Sequence, residues 1–99
     1  MPTILPDNLA PQLANLARNL SASKLVLFGS RARGDHHERS DIDLAVYGMP
    51  VKNRSIFWME AEELPTLLKL DIVHVSPDMN PDFLRNIEKD GVTLYAAED

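Results

Sequence analysis

The chain has 99 residues, no cysteine and a formal net charge of −5 at pH 7, with ten Lys and Arg against fifteen Asp and Glu. The length predicts one domain over residues 1–99, and the lack of cysteine excludes disulfide frameworks, cysteine-type zinc sites and thiol chemistry. The acidic balance argues against extended nucleic-acid binding by the chain itself, because such binding needs an excess of Lys and Arg.

Apolar periodicity predicts three helices and four strands, in the order α-β-β-α-β-α-β. Leucines recur at steps of three and four residues over 9–20, which indicates an amphipathic helix. Segment 41–47 alternates apolar and polar residues, the pattern of a strand with one face on a core. The predicted strands are 24–28, 41–47, 70–75 and 92–95, the last at an edge, and the predicted helices are 9–20, 55–63 and 81–90. Together they predict an α/β (α+β) fold, a mixed sheet with helices packed on it.

The last helix has clear boundary signals. Asn80 before Pro81 matches an N-cap followed by proline at the first helical position. Gly91 stands where a C′ glycine ends a helix. These signals predict a helix that begins at Pro81 and ends just before Gly91.

The distribution of apolar residues also predicts where the protein is located in the cell. No apolar run approaches the ~20 residues that a membrane span requires. The first four residues show no basic segment followed by an apolar stretch, so a secretory signal is not expected. We therefore expect a cytoplasmic protein without membrane contact.

Asp41 and Asp43 form the first candidate site. Residues i and i+2 of a strand share a face about 6.6–7 Å apart, so two carboxylates there repel by roughly 2–3 kcal/mol at an effective dielectric of ~20. A cation offsets this repulsion, and hard oxygen ligands at this spacing suit Mg²⁺. The alternative interpretation is a solvated strand start, at which Asp41 only ends a loop.

Asp71 interrupts the apolar run of the third strand. A buried, unpaired carboxylate costs several kcal/mol, so Asp71 needs a partner, a metal or an edge position. If the third strand lies beside the second, three carboxylates converge on one or two Mg²⁺ ions. One of them is then free to accept a proton from an attacking hydroxyl. An edge-strand aspartate that faces solvent remains the alternative.

Gly29 and Ser30 directly follow the first strand. Glycine lets the backbone approach a ligand closely, and a serine hydroxyl with adjacent N–H groups can hold a phosphate. The pair is not a Walker A loop, because the Gly-Lys-Ser/Thr ending is missing. By itself the Gly-Ser pair is a common turn. It indicates a phosphate site only because it lies a short loop before Asp41.

Three arginines add a local positive cluster to this acidic chain. Arg31, Arg33 and Arg39 suit phosphate contact. A solvated loop, or salt bridges from these arginines to Asp35 and Glu38, is an equally good interpretation.

These motifs together resemble a known family. The run Gly29-Ser30-Arg31-Ala32-Arg33-Gly34, followed by Ser40-Asp41-Ile42-Asp43-Leu44, is similar to the signature of the DNA polymerase β-like nucleotidyltransferase superfamily. The closest similarity is to the minimal nucleotidyltransferases (MNT), which are stand-alone domains of about this length. Leu70-Asp71-Ile72-Val73 matches the position of the family's third carboxylate, and the similarity is weakest at residues 1–20 and 50–66.

The resemblance implies a fold, a site and partners. It implies the polymerase β-like nucleotidyltransferase core, in which Gly29 and Ser30, with Arg31 and Arg33 nearby, hold the nucleoside triphosphate. It implies two Mg²⁺ ions at Asp41, Asp43 and Asp71, with Asp71 helping to deprotonate the acceptor. Such proteins often accompany a four-helix HEPN protein, sometimes an RNase toxin, and can neutralise it by transferring AMP from ATP to a tyrosine.

Three functional hypotheses follow. The first is Mg²⁺-dependent transfer of AMP from ATP to a hydroxyl of a HEPN-type partner, which makes the chain the antitoxin of a toxin–antitoxin pair. The second is a non-catalytic antitoxin that masks its partner by binding. Phe57, Trp58 and Met59 are consecutive on a predicted helix and cannot all face one core, so at least one is expected to be exposed, compatible with an interface. The third is a small-molecule nucleotidyltransferase, which usually carries extra helical domains.

Overall fold

The computed structural model describes residue 5 and residues 8–37 and 39–97. The signal-peptide prediction concerns residues 1–4, and the proposed salt bridge to Glu38 concerns residue 38; both lie outside the described residues. Within the described part the elements are α1 (Leu9–Asn19), β1 (Lys24–Phe28), α2 (Ser30–Arg33), β2 (Ile42–Tyr47), α3 (Val51–Glu62), β3 (Leu70–His74), α4 (Pro81–Asp90) and β4 (Val92–Ala96). None of these helices is long and apolar enough to cross a membrane.

The four strands form one mixed sheet in the order β3-β2-β1-β4. β1 pairs antiparallel with both β2 and β4, whereas β2 and β3 run parallel. The parallel pair requires a crossover connection, and α3 provides it. The predicted mixed sheet with helices on it is confirmed, and so is the expectation that the third strand lies beside the second.

Different helices pack on the two faces of the sheet. Leu25, Leu27 and Leu44 point to one face, where they form the main core with buried residues of α1 and α3. Val26 and Ala45 point to the other face, where they contact Ile87 of α4. Because side chains alternate along a strand, the odd-numbered positions of β2 share the α4 face.

Helix α3 begins four residues earlier than predicted. Gly48-Met49-Pro50 suggested a longer break, but Pro50 has φ −55° and ψ 140° and occupies the N-cap, so helix can begin directly after it. Proline is tolerated at the start of a helix because its missing N–H would have no intrahelical partner there. On α3, Phe57 is buried, while Trp58 and Met59 are 53% and 61% exposed, as the sequence predicted.

Helix α4 has the predicted boundaries. Gly91 follows its last residue as predicted, but the position requires glycine for a reason other than the predicted left-handed C′ conformation. The Asn80 side chain accepts a hydrogen bond from the Asp82 N–H at 2.8 Å, which confirms the N-cap. Gly91 is extended, with φ −66° and ψ 143°, and does not adopt the left-handed C′ conformation. A Cβ there would lie 2.3 Å from the Ile87 carbonyl oxygen and 2.6 Å from Val26 Cγ1, so close packing is what requires glycine.

His74 at the end of β3 gives a pH-dependent prediction. Burial, and secondarily the charge of Arg54, lowers the pKa of His74 below its ordinary value of 6.5. The unfolded chain therefore binds more protons than the folded chain just below pH 6.5, and stability falls as the pH drops through that range. We expect the melting temperature of His74→Gln to fall less than that of wild type between pH 7.5 and pH 5. Equal losses in both proteins would contradict this assignment.

Candidate active site

Strand register brings two of the predicted carboxylates side by side. Asp43 of β2 pairs with Asp71 of β3 in the parallel ladder. Residues in register on neighbouring strands point to the same face, which for these two is the α4 face. Asp41 lies two residues before Asp43 and contributes to its electrostatic environment. All three predicted carboxylates therefore meet at one end of the sheet.

Gly29 lies next to these carboxylates, on the side of β2 opposite β3. Phe28, the last residue of β1, pairs with Asp43, so the chain turns at Gly29 directly beside that carboxylate. Gly29 has φ 77° and ψ −155°, a conformation nearly exclusive to glycine. A Cβ at Gly29 would lie 2.2 Å from Asp43 Oδ2. The missing side chain is thus what allows the turn and the carboxylate to be neighbours.

The environment of Asp43 disfavours its charged form. Burial raises the pKa of Asp43 above its ordinary value of 3.8, and the negative charges of Asp71 and Asp41 raise it further. The Arg33 guanidinium acts in the opposite direction, and a side-chain hydrogen bond with Asp71 adds to the increase. An added cation would relieve each of the repulsive contributions.

An open polar groove of about 410 Å³ lies against these carboxylates. Its lining consists of Ser30, His37, Arg39, Ser40, Asp41 and Asp43. Ser30 is the first residue of the short helix α2, which is absent from the helices predicted from the sequence. A four-residue helix is too short to produce apolar periodicity, so the pattern could not reveal it.

Arg31 is buried, although its sequence context suggested a phosphate contact. Its side chain is only 4% exposed, and Nε donates to the Ser40 carbonyl oxygen at 3.0 Å. Ser40 also closes the turn that precedes Asp41, since its Oγ accepts from the His37 N–H at 3.0 Å. Arg31 therefore fixes the loop that leads to Asp41, and its role in phosphate binding stays a prediction.

Arg33 lies at the exposed edge of the site. Its Nε is 3.2 Å from Asp35 Oδ2, which confirms one of the alternative salt bridges. Exposed pairs of this kind contribute little to stability, so the guanidinium can exchange partners at low cost. Because Arg33 also acts on Asp43 electrostatically, a phosphate contact by Arg33 stays compatible with the geometry.

Comparison with known proteins decides the family. A model of the family described as "Polymerase beta, Nucleotidyltransferase" matches residues 12–99, which is most of the chain. The chain belongs to this nucleotidyltransferase family. The family prediction made from the Gly-Ser and Asp-x-Asp motifs is therefore confirmed. No curated protein matches the sequence.

Two solved structures share the fold of this chain. A crystal structure of a toxin–antitoxin with AMP-PNP matches with a TM-score of 0.69 and 22% identity, over 90% of this chain and 74% of the other. A toxin–antitoxin MntA–HpeT mutant with two aspartate-to-glutamate changes matches with a TM-score of 0.68 and 20% identity, over the same shares. At these identities the similarity concerns the fold.

The carboxylates of this nucleotidyltransferase fit the divalent cation that its family generally uses. The ligand set is all oxygen, from Asp41, Asp43 and Asp71. Burial is the main cause that raises the pKa of Asp43, and the charges of Asp71 and Asp41 raise it further; a bound cation would offset this charge repulsion. In the described part of the chain, no group of three or more His, Cys, Asp or Glu side chains is already arranged around a single point. Asp43 and Asp71 nevertheless share a side-chain hydrogen bond, so two of the three candidate ligands already lie together.

Sequence reasoning missed Lys69 at this site. Its Nζ lies 3.6 Å from Asp71 Oδ1, so it supplies positive charge beside the third carboxylate. The available signal was the spacing, because a residue two positions before Asp71 shares its face on an extended chain. Lys69 also fixes the strand start, since its carbonyl oxygen accepts from the Ile42 N–H at 2.9 Å.

Proposed function

We propose that this nucleotidyltransferase transfers AMP from ATP to a hydroxyl of a partner toxin, a tyrosine of a HEPN-type protein, and thereby acts as its antitoxin. The observation that carries the proposal is the meeting of Asp43 and Asp71 in register beside the Gly29 turn. Three carboxylates next to a hydroxyl-bearing groove suit phosphoryl-group chemistry, and no packing requirement explains them.

The proposed reaction is an in-line displacement at the α-phosphorus of ATP. The acceptor oxygen forms a bond to that phosphorus, the bond from phosphorus to the bridging oxygen of the β-phosphate breaks, and pyrophosphate leaves with the electron pair. The acceptor proton passes to a carboxylate oxygen of Asp71. Asp71 suits this role because β3 lies on the opposite side of β2 from β1 and its Gly29-Ser30 turn.

Charge neutralisation accompanies this displacement. Two Mg²⁺ ions held by Asp41, Asp43 and Asp71 would neutralise the phosphates and lower the charge repulsion against an approaching oxygen. Ser30 would hold the triphosphate through its hydroxyl, with Arg33 contacting its outer oxygens. Ser30 lines the groove beside the carboxylates, and Arg33 is close enough to act on Asp43 electrostatically.

Two findings support an antitoxin role. The two structures described above are toxin–antitoxin structures, and one of them contains AMP-PNP, an analogue of ATP. The net charge of −5 makes a protein a more suitable acceptor than a long nucleic acid.

A second candidate function is a binding antitoxin that needs no chemistry. Trp58 and Met59 on α3 are more than half exposed, which is unusual for large apolar side chains and typical of interface residues. They lie on the helix that covers the face of the sheet opposite the aspartates. Binding there would not require the carboxylates at all.

Coexpression with the partner toxin separates the two functions. Wild type and Asp43→Asn would each be expressed with the toxin, and growth and the intact mass of the toxin would be measured. The catalytic function predicts rescue and a mass gain of AMP units with wild type, and neither with Asp43→Asn. Equal rescue by both proteins, with an unmodified toxin, would instead support masking by binding.

A further inference from the structure

A second groove adjoins the open polar groove beside Ser30 and Asp43, and its chemical character is different. It measures about 500 Å³, within the usual range of ligand sites, and its lining consists of Arg39, Asp41, Leu67, Leu68 and Lys69. Arg39 and Asp41 line both grooves, so the two spaces are neighbours. We call this second space the Leu67 groove.

The position of the Leu67 groove matches the direction from which an acceptor must come. In an in-line displacement the attacking and leaving oxygens lie on opposite sides of phosphorus. In the proposed function the leaving pyrophosphate points towards Ser30, at the end of β1. The Leu67 groove lies beyond Asp41 on the opposite side, in the segment that leads into β3.

The lining of the Leu67 groove suits one class of occupant. Leu67 is fully exposed, which leaves an apolar side chain available to contact an aromatic ring. Lys69 and Arg39 are exposed cations in the same lining, and they favour carboxylates in the occupant. A purine base would use the apolar wall but would offer neither cation a negative charge, and the Lys69–Asp71 pair is solvent-exposed and therefore weak enough to exchange for a carboxylate of the occupant.

We propose that the Leu67 groove binds the acceptor segment of the protein substrate, an acidic stretch whose central aromatic hydroxyl enters beside Asp71. This inference rests on the proposed function and extends it from a hydroxyl to a defined peptide chemistry. Leu67 contacts the aromatic side chain, while Lys69 and Arg39 contact flanking carboxylates. The nucleotide occupies the polar groove beside Ser30 and makes no contact with Leu67.

Peptide binding tests this proposal without relying on transfer activity. The probes are two fluorescein-labelled peptides with a central tyrosine, one flanked by glutamates and one by lysines, and anisotropy gives their dissociation constants. Calorimetry with ATP and Mg²⁺ gives nucleotide affinity in parallel. The test variant is Leu67→Glu, which changes an exposed side chain, and the matched control is Val51→Glu, at an exposed position at the start of α3.

We expect wild type and Val51→Glu to bind the acidic peptide alike and to prefer it to the basic peptide. Leu67→Glu should bind the acidic peptide about ten-fold more weakly with unchanged ATP affinity. Loss of ATP affinity in Leu67→Glu would assign the groove to the nucleoside and overturn the proposal, as would equal binding of both peptides, or no peptide binding, by wild type. A wild-type protein that binds the acidic peptide but transfers no AMP would contradict the proposed function alone.

Discussion

Replacement of Asp43 by asparagine is expected to lower AMP transfer by about 10³-fold or more while the protein stays folded. Asparagine keeps the size of the side chain but removes the negative charge that neutralises a bound cation, and such electrostatic contributions are worth several kcal/mol. The measurement is the rate of AMP incorporation into the partner at saturating ATP and Mg²⁺. The control is Glu62→Gln, which removes one exposed charge on α3. Transfer at the wild-type rate by Asp43→Asn would refute the assignment of Asp43.

The same substitution should stabilise the protein when no divalent cation is present. The pKa of Asp43 is raised in the folded state, so the folded protein loses stability as the pH rises from 3.8 through that higher pKa. Asparagine avoids this loss, and we expect a gain of up to about 1 kcal/mol in the free energy of unfolding at pH 7. Urea titrations in EDTA at pH 7 and at pH 3.5 measure it. The gain should be small at pH 3.5, where the carboxyl group is mostly protonated in both states.

Replacement of Gly29 by alanine is the second change with a large expected effect. The new Cβ would overlap Asp43 Oδ2, and φ 77° with ψ −155° is strained for any residue with a Cβ, at a cost of about 1–3 kcal/mol. Either the Gly29 turn or the Asp43 carboxylate must move, and both border the reacting phosphate in the proposed function. We expect AMP transfer to fall by at least about 10²-fold, because misplacement by about 1 Å has this effect on catalysis.

Gly34→Ala is the matched control for that substitution. Gly34 also has a positive φ of 85°, but no atom lies within 4 Å of the position that its Cβ would occupy. Alanine there should lower the free energy of unfolding by about 1–2 kcal/mol and leave AMP transfer close to wild type. The rates of both variants would be compared at a temperature at which each is folded. Similar rates for Gly29→Ala and Gly34→Ala would show that contact with Asp43 is unimportant.

The sequence was sufficient to predict the four strands of the sheet and which side of β2 faces the main core. Alternation over residues 41–47 predicted which side of β2 faces the main core, and the side of Asp43 follows from it. The position of Asp71 beside Asp43 depended on an assumption, because strand order and parallel register are set by packing between distant segments. The three motifs supported that assumption, because Gly29-Ser30, Asp41-x-Asp43 and Asp71 can form one nucleotidyltransferase site only if they lie close together.

Some features of the site could not be predicted from the sequence. A charged residue in a polar segment is normally exposed, so nothing indicated that Arg31 would be 4% exposed and bound to the Ser40 carbonyl oxygen. Gly91 matched a common helix-ending signal, yet its role depends on contact with Val26, a residue 65 positions earlier in the chain. Both depend on tertiary contacts that no local pattern records.

Intact-mass spectrometry of the copurified partner toxin, after incubation with this protein, ATP and Mg²⁺, tests the reaction itself. Each of the other three nucleoside triphosphates would be tried separately, and EDTA would replace Mg²⁺ in one sample. We predict that the toxin gains the mass of one or more AMP groups with wild type, and that it gains none with Asp43→Asn or with EDTA. A toxin whose mass stays unchanged with all four nucleotides would contradict catalysis by these aspartates.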